Sequence, residues 1–260
     1  MFIAEQQMVA AAVGLSVRGY VPFASTFAAF WSRAYDFIRM AAISRANIRL
    51  SGSHAGVSIG EDGPSQMALE DIASFRAIHG STVLHPSDAN QTAKLVAEMG
   101  DRKGIQFIRT LRGKTPVRTG PHEAVHIGGS RIAHEGEDVA IIACGITLDE
   151  AVKAAETLEG EGIKARVLDC YSIKPIDAGA LRAAARECGA IVTVEDHWPE
   201  GGLGDAVLEA LADADGRPPV TKLAVRELPG SGTPEELLRE AGIDAAAIAA
   251  AARELSPLRR

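Results

Sequence analysis

The apolar residues of this chain are arranged in two alternating patterns, and the first pattern predicts strands. Short, almost continuous apolar runs recur along the whole chain, which is typical of strands that are buried on both faces. We predict strands at Val21–Ser25, Ile48–Leu50, Ser81–Leu84, Ile105–Ile108, Val139–Ala143, Ala165–Leu168, Ala190–Val194 and Val220–Ala224.

The second pattern predicts helices between these strands. From Phe27 to Ala41 the apolar residues recur at steps of three and four, which places them on one face of a helix. We predict further helices from Pro86 to Leu95 and at Leu148–Leu158, Ala178–Arg186, Leu203–Leu211 and Ala245–Ala252. Buried strands joined by helices form parallel sheets with right-handed crossovers. The predicted fold class is therefore α/β, with two parallel or mostly parallel α/β domains.

One stretch interrupts the alternation and divides the chain. Residues Leu111–Glu137 are rich in glycine and proline and show little apolar periodicity. Such composition is typical of a connection between domains. We therefore predict a first domain at residues 1–112, a linker at 113–136 and a second domain at 137–260.

Charge and composition exclude several classes of protein. With 27 Lys and Arg against 34 Asp and Glu, the net charge is −7, which argues against a nucleic-acid partner. No apolar run approaches the roughly 20 residues of a membrane span, so we expect no membrane partner. The cysteines Cys144, Cys170 and Cys188 are odd in number and widely spaced, which favours reduced thiols and a cytoplasmic location.

One short motif has the sequence of a zinc site but lacks the predicted helix that zinc binding requires. Residues His122 to His126 read H-E-x-x-H, which binds zinc when both histidines lie on one helix face. Here Gly120-Pro121 precedes the motif and Gly128-Gly129 follows it, so we predict extended backbone rather than a helix. We interpret the match as a coincidence and expect no metal ligands in this chain.

The segment Ser51–Gln66 is the strongest candidate site. It follows a predicted strand, and it concentrates His54, Glu61, Asp62 and Gln66 among glycines. Ligands bind at the carboxyl ends of strands in open α/β sheets. On this segment alone, an ordinary solvated surface loop remains an equal alternative.

Six segments of the chain, taken together, resemble the transketolase family, and most closely its animal-type branch. They follow the family's order, and the resemblance covers essentially the whole chain. The segments are Ala4–Met8, Ser25–Phe30, His54–Gln66, Pro86–Asp88, Phe107–Thr110 and Val194–His197 with Glu200–Gly202.

The resemblance implies which parts of a transketolase are present. It identifies an N-terminally truncated pyrimidine-binding domain followed by the C-terminal domain. The signature that holds Mg²⁺ and diphosphate in the family's first domain is missing from this sequence. A fragment, or a split subunit that pairs with a separate N-terminal domain or chain, is expected, as a homodimer or a heterotetramer. The isolated chain is expected to be inactive.

The resemblance also implies a reaction and a set of site residues. Transketolases use thiamine diphosphate, with Mg²⁺, to move a two-carbon ketol unit between sugar phosphates. Glu5 matches the catalytic glutamate that hydrogen-bonds the aminopyrimidine ring nitrogen. The matched positions near the cofactor are Phe30, Phe27 and Gln66, and those that bind the sugar phosphate are His54, Asp62 and Arg112.

Two other interpretations stay open at this point. An enzyme part similar to 1-deoxy-D-xylulose-5-phosphate synthase shares the cofactor and fold elements, but that family has aspartate at the position of His54 and lacks Glu61. The chain could also be a non-catalytic dimerisation or regulatory remnant. Without the resemblance, Glu5 would be an ordinary first-turn helix glutamate, favoured there by the helix dipole.

Overall fold

The computed structural model describes residues 2–214 and 216–256, which form two five-stranded sheets with helices packed on them. The strands are β1 (Phe23–Phe27), β2 (Ile48–Ser53), β3 (Thr82–Leu84), β4 (Ile105–Arg109), β5 (Arg131–His134), β6 (Val139–Ala143), β7 (Ala165–Asp169), β8 (Ser172–Lys174), β9 (Ile191–Val194) and β10 (Val220–Leu223). The α-helices are α1 (Glu5–Val17), α2 (Tyr35–Ile43), α3 (Asp71–Ala77), α4 (Ala89–Asp101), α5 (Thr147–Glu159), α6 (Ala178–Glu187), α7 (Leu203–Ala210), α8 (Pro234–Glu240) and α9 (Ala245–Leu255).

The strand order confirms the predicted fold class. The first sheet has the order β1-β2-β4-β3-β8 and the second the order β10-β9-β6-β7-β5. Within each sheet the neighbouring strands run parallel except for one antiparallel edge strand, β8 in the first and β5 in the second. Both sheets are therefore mostly parallel, as the buried apolar runs predicted.

The two sheets are linked more closely than the sequence suggested. Strand β8 follows β7 of the second sheet, yet it pairs with β3 of the first sheet. The Lys174 ammonium fixes this crossing by donating to the carbonyl oxygens of Arg76 at 2.8 Å and Ile78 at 2.7 Å. One strand of the second half therefore completes the sheet of the first.

The hydrophobic core also crosses from one half to the other. One cluster contains Phe75 and Val83 together with Cys144 and Leu181, and a second contains Val57 of the first half with side chains from β6, β7 and β9. Burial of apolar surface is non-directional and stabilises whatever it joins. The two halves therefore share the apolar packing that stabilises them.

The glycine-rich stretch contributes a strand of its own. Residues 131–134 form β5, which pairs antiparallel with β7, so the predicted linker at 113–136 is not entirely a connection. Arg131 anchors this strand by donating to Asp169 at 3.1 Å. The domain boundaries at 112 and 137 remain predictions.

The segment after Phe23 also differs from its predicted structure. Phe27 is the last residue of β1, where it pairs with Ser53, and a 3-10 helix at Ala28–Ala34 precedes α2. The 3-10 helix lies directly over β2, because a Cβ atom at Gly52 would come within 2.9 Å of the Ala28 Cα atom. The single helix predicted from Phe27 to Ala41 is therefore wrong at its start, and glycine at position 52 permits the observed approach.

Strand β1 forms an outer edge of the first sheet, and apolar side chains are exposed beside it. Phe23 on this strand and Tyr20 and Val21 just before it are about half exposed or more. An exposed edge with apolar neighbours is prone to pair with other chains. This side of the first sheet is therefore suited to contact with another polypeptide.

We predict that cleavage in the connection will not separate the halves. Lys114 is exposed in backbone without helix or strand, so limited trypsin digestion should cut after it. The pieces should stay together on size-exclusion chromatography, because β8 pairs with β3 and the core is shared. Lys114→Gln should remove this cut and serve as the control. A C-terminal piece that elutes alone would contradict the shared core.

Candidate functional site

A cleft opens between the start of α1 and the end of β1. Its volume is about 960 Å³, and it lies at the carboxyl end of a parallel strand, where open α/β sheets bind ligands. The residues that line it are Phe2, Ile3, Ala4, Glu5, Met8, Ser25, Thr26, Phe27, Phe30 and Arg33. Three residues predicted for the site, Glu5, Phe27 and Phe30, are thus brought together.

Glu5 places a buried carboxylate in this cleft. It is the first residue of α1, only 6% of it is exposed, and its Oε2 atom has no hydrogen-bond partner within residues 2–214 and 216–256. The Arg33 guanidinium lies 3.8 Å from that oxygen. A buried acceptor without a hydrogen bond is costly to the folded state. The Glu5 carboxylate can therefore accept a hydrogen bond from an N–H group of a ligand.

Three stacked rings connect the cleft to the loop that follows β2. The Phe27 ring lies nearly parallel to the Phe30 ring at a centroid distance of 5.6 Å and to the His54 ring at 3.9 Å. His54 has a left-handed backbone, with φ of 57°, and its Nδ1 atom lies 2.9 Å from the Ser53 Oγ atom. The imidazole stacks on Phe27, so the loop lies next to the cleft.

The loop brings the predicted sugar-phosphate residues together. It contains a short 3-10 helical segment at Val57–Asp62 with a kink at Gly60, where φ is 82°, and we name this segment the loop helix. Arg112 donates to the Asp62 carboxylate and to the Ile59 carbonyl oxygen, each at 3.0 Å. Burial and the nearby Arg112 cation lower the pKa of His54, while Asp62 raises it. His54, Asp62 and Arg112 thus share one polar cluster at the end of the ring stack.

Gln66 was predicted to lie near the cofactor, but it is not among the residues that line the cleft. It follows the loop helix, where its backbone N–H donates to the Gly63 carbonyl oxygen at 3.1 Å. Its Oε1 atom is buried without a hydrogen-bond partner in the described part of the chain. The structure therefore leaves its predicted role near the cofactor as an expectation.

Sequence reasoning missed Arg33, which lines the cleft. It lies three residues after Phe30 on the 3-10 helix. Its guanidinium forms an ion pair with the Glu5 carboxylate at 3.8 Å. The sequence did contain one indication of its role, because Arg33 is a basic residue one helical turn after Phe30. The ion pair could not be predicted, because it joins Arg33 to Glu5, which is 28 residues away in the chain.

A second buried polar cluster lies between the two sheets, and sequence reasoning missed it as well. The Arg109 side chain is fully buried and donates to the Asp71 carboxylate at 2.9 Å. It also donates to the carbonyl oxygens of Ala68 at 2.7 Å and Asp196 at 2.8 Å. Burial raises the pKa of Asp71, and the Arg109 charge opposes that shift. Arg109 therefore joins β4 to the segment that follows β9.

His197 continues this cluster as a neutral imidazole. Its Nδ1 atom donates to the Trp198 carbonyl oxygen at 2.7 Å, and its Nε2 atom accepts from the Ala73 N–H at 3.3 Å. Burial and the Arg109 charge lower the pKa of His197 to about 3. Both nitrogens are used in one tautomer, which connects the second sheet to α3.

The H-E-x-x-H segment is not helical, which agrees with the prediction from its flanking glycine and proline residues. Residues 122–126 form a turn and irregular backbone without a helix. Glu123 accepts from the Gly120 N–H at 2.9 Å and pairs with Arg131 at 3.3 Å. Across residues 2–214 and 216–256, no group of three or more His, Cys, Asp or Glu side chains could hold a metal ion. In the same residues no helix is long and apolar enough to span a membrane.

Comparison with known families identifies both halves of the chain. The model "Transketolase, pyrimidine binding domain" matches residues 1–117, and "Transketolase, C-terminal domain" matches residues 128–248. The chain belongs to the transketolase family. The resemblance noted in the sequence is thereby confirmed.

Animal members of the transketolase family are similar over nearly the whole chain. Human transketolase is 52% identical over 98% of this chain, and mouse transketolase-like protein 2 is 49% identical over 97%. The chain spans only 41% of the length of each of these two relatives. The activity of a complete transketolase is therefore not established by these matches.

Solved structures of transketolases agree with the fold. A structure described as a split-gene transketolase, an inactive β4 tetramer, matches with a TM-score of 0.92 and 40% identity, covering 100% of this chain and 84% of that one. A mutant transketolase from Pichia stipitis matches with a TM-score of 0.81 and 23% identity over 96% of this chain and 36% of its own, which shows the fold alone.

We predict that His197 makes the stability of this transketolase-family chain sensitive to acid. Below pH 6.5 the unfolded chain binds a proton on His197, whereas the native chain binds it only near pH 3, so stability falls as the pH falls. The loss attributable to His197 between pH 7 and pH 5 should be roughly 2 kcal/mol.

Urea unfolding at both pH values measures this loss. His197→Gln should lose less stability between pH 7 and pH 5 than the wild type, and His79→Gln, which alters an exposed histidine, should behave as the wild type. An equal loss in the wild type and in His197→Gln would show that His197 is not held neutral.

Proposed function

We propose that this chain supplies the pyrimidine-binding and C-terminal parts of a transketolase. The reaction would be transfer of a two-carbon ketol unit from a ketose phosphate to an aldose phosphate. The observation that carries the proposal is the buried Glu5 carboxylate, with a free acceptor oxygen, beside two stacked phenylalanine rings in one cleft.

The cleft residues fit the aminopyrimidine part of thiamine diphosphate. The free Oε2 atom of Glu5 suits an N–H group of a heterocycle, and the faces of Phe27 and Phe30 suit its flat ring. When bound, thiamine diphosphate supplies the nucleophilic carbon that receives the two-carbon unit. The role of the protein here is to hold the ring and to set its protonation.

Glu5 would control a proton at the ring nitrogen that it faces. The Oε2 atom would accept a hydrogen bond from the N–H group at that nitrogen, which favours the tautomer in which the exocyclic nitrogen can accept a proton. The Arg33 cation, 3.8 Å from the same oxygen, balances the charge of the carboxylate. Glu5 is therefore the residue that we assign to cofactor activation.

The cluster at the other end of the ring stack would bind the sugar phosphate. The Arg112 guanidinium suits a phosphate, His54 offers a second donor, and Asp62 can accept from a sugar hydroxyl. Arg112 is held by Asp62 and by the Ile59 carbonyl in the structure, so a phosphate would compete with the Asp62 carboxylate for this cation. We also assign Gln66, which follows the loop helix, to the cofactor residues.

The remaining parts of the enzyme would come from another domain or chain. We propose that an N-terminal diphosphate-binding part holds Mg²⁺ and the diphosphate, in a homodimer or heterotetramer, and that this chain alone is inactive. The structural neighbour described as a split-gene transketolase, an inactive β4 tetramer, supports an oligomer that requires a further part for activity. The free, buried cysteines support a cytoplasmic location.

We predict that Arg112→Ala, in this chain combined with a diphosphate-binding transketolase part, will weaken use of a ketose phosphate. Loss of a charge-assisted hydrogen bond of roughly 1.5–3 kcal/mol corresponds to about a ten- to hundredfold rise in KM. Hydroxypyruvate, a donor without phosphate, should be affected much less. Steady-state kinetics with both donors measures the difference.

Two further variants control this experiment. Arg118→Ala alters an arginine of the same connection that pairs with Asp149 in the second half, and it should change neither donor. Glu5→Gln should slow both donors alike, because it acts on the cofactor. Equal losses for both donors in Arg112→Ala would make Arg112 structural, and an assembly in which none of the variants matters would favour the non-catalytic remnant.

A further inference from the structure

The segment that follows β9 belongs to a motif of the sequence to which the proposed reaction assigns no role. Its residue Asp196 comes from the second sheet, yet its carboxylate reaches the loop of the first. Oδ1 accepts from the Val57 N–H at 2.7 Å, and Oδ2 accepts from the Ser58 N–H at 3.3 Å. These are the first two residues of the loop helix, whose N–H groups have no partner within the helix itself.

The loop is shaped to receive this carboxylate closely. Gly56, just before the loop helix, has φ of 83°, and a Cβ atom placed on it would overlap the Asp196 Oδ2 atom. Asp196 is 1% exposed, and the Arg109 charge opposes the rise that burial causes in its pKa. A buried carboxylate is tolerated when amides and a cation surround it, and both are present here.

The loop helix in turn holds the sugar-phosphate residues. The carbonyl oxygen of Ile59, just before the kink at Gly60, accepts from Arg112, and the same guanidinium donates to Asp62 after the kink. His54 lies at the other end of the same loop, stacked on Phe27. A change in the position of the loop helix would therefore move Asp62 and Arg112 relative to His54.

We infer that Asp196 is a positioning residue for the sugar-phosphate end of the site. By holding the start of the loop helix, the second sheet sets the spacing of His54, Asp62 and Arg112. Asp196 touches neither cofactor nor sugar in this account, and its effect passes through the backbone of the loop. The inference rests on the proposed function for the identity of the ligand that the loop binds. The contact between Asp196 and the loop is independent of that function.

The neighbouring residue provides a matched control. Glu195 is also a buried carboxylate that accepts from two backbone N–H groups, Leu203 at 2.6 Å and Gly204 at 3.0 Å. These groups begin α7, away from the loop, so Glu195 performs the same structural task for a different element. Comparing Asp196→Asn with Glu195→Gln therefore separates loop positioning from general damage to the segment.

Amide hydrogen exchange on the whole chain tests the contact. Asp196→Asn should accelerate exchange at Val57 and Ser58 by about tenfold or more, the effect of weakening a hydrogen bond to a charged group. Exchange at Leu203 and Gly204 should not change, and Glu195→Gln should give the reverse pattern. Unchanged exchange at Val57 and Ser58 in Asp196→Asn would overturn the inference.

A second variant keeps the test decisive if Asp196→Asn folds poorly. Gly56→Ala places a methyl group against the same carboxylate and leaves the segment after β9 intact. It should accelerate exchange at the same two loop amides while Leu203 and Gly204 stay protected. If Val57 and Ser58 in Gly56→Ala exchange as slowly as in the wild type, the proposed contact between Asp196 and the loop is contradicted.

Kinetics of the assembled enzyme tests the consequence for the site. Asp196→Asn should raise KM for a ketose phosphate by about tenfold, with a smaller rise for hydroxypyruvate, whereas Glu195→Gln should affect both donors alike. Equal changes for both donors in Asp196→Asn would overturn the positioning role. No turnover by the wild-type assembly would instead overturn the proposed function, and the exchange measurement would still decide whether Asp196 holds the loop.

Discussion

The buried guanidinium of Arg109 is the contact on which the arrangement of the two halves depends. It lies at the end of β4, pairs with Asp71 and donates to carbonyl oxygens that belong to different halves of the chain, Ala68 in the first and Asp196 in the second. A guanidinium presents several donors in one plane, so it can bind acceptors from separate segments at once. Removing it would leave a buried carboxylate unpaired, which costs roughly 3–5 kcal/mol.

The backbone next to Arg109 also holds the loop of the candidate site. The Thr110 N–H, directly after Arg109, donates to the Gly52 carbonyl oxygen at 2.8 Å, and the Thr110 carbonyl accepts from Ala55 at 3.4 Å. The loop that carries His54 is therefore fixed to the end of β4 on one side and to Asp196 on the other. Loop residues on a rigid scaffold are suited to binding, because their geometry is set before the ligand arrives.

The sequence predicted the fold best where strands are buried on both faces. Strand β6 has the predicted bounds, Val139–Ala143, because a continuous apolar run is unambiguous there. Strand β8 could not be predicted, since it has only three residues and exists through its pairing with β3. Strand β5 could not be predicted either, because it lies in a glycine-rich stretch and forms through its pairing with β7. Short edge strands are defined by their partners rather than by their own periodicity.

The residues of the candidate site that lie within short sequence motifs could be predicted, whereas contacts between distant parts of the chain could not. Glu5, Phe27 and Phe30 lie within short segments that resemble the family, and the structure brings them into one cleft. The role of Asp196 was not predictable, because the N–H group that it accepts from lies 139 residues away. Arg109 likewise stands in a recognisable segment, but its burial depends on Asp71, which is 38 residues distant.

The central claim is that the two halves form one cooperative unit, in which the second half supports the loop of the site. The chain has two tryptophans, and Trp31 lies in the first half beside the cleft while Trp198 lies in the second. Fluorotryptophan incorporated into the otherwise unaltered chain therefore provides one ¹⁹F NMR signal for each half. During urea unfolding the two native signals should disappear with the same midpoint. Loss of one native signal at a lower urea concentration than the other would contradict the claim.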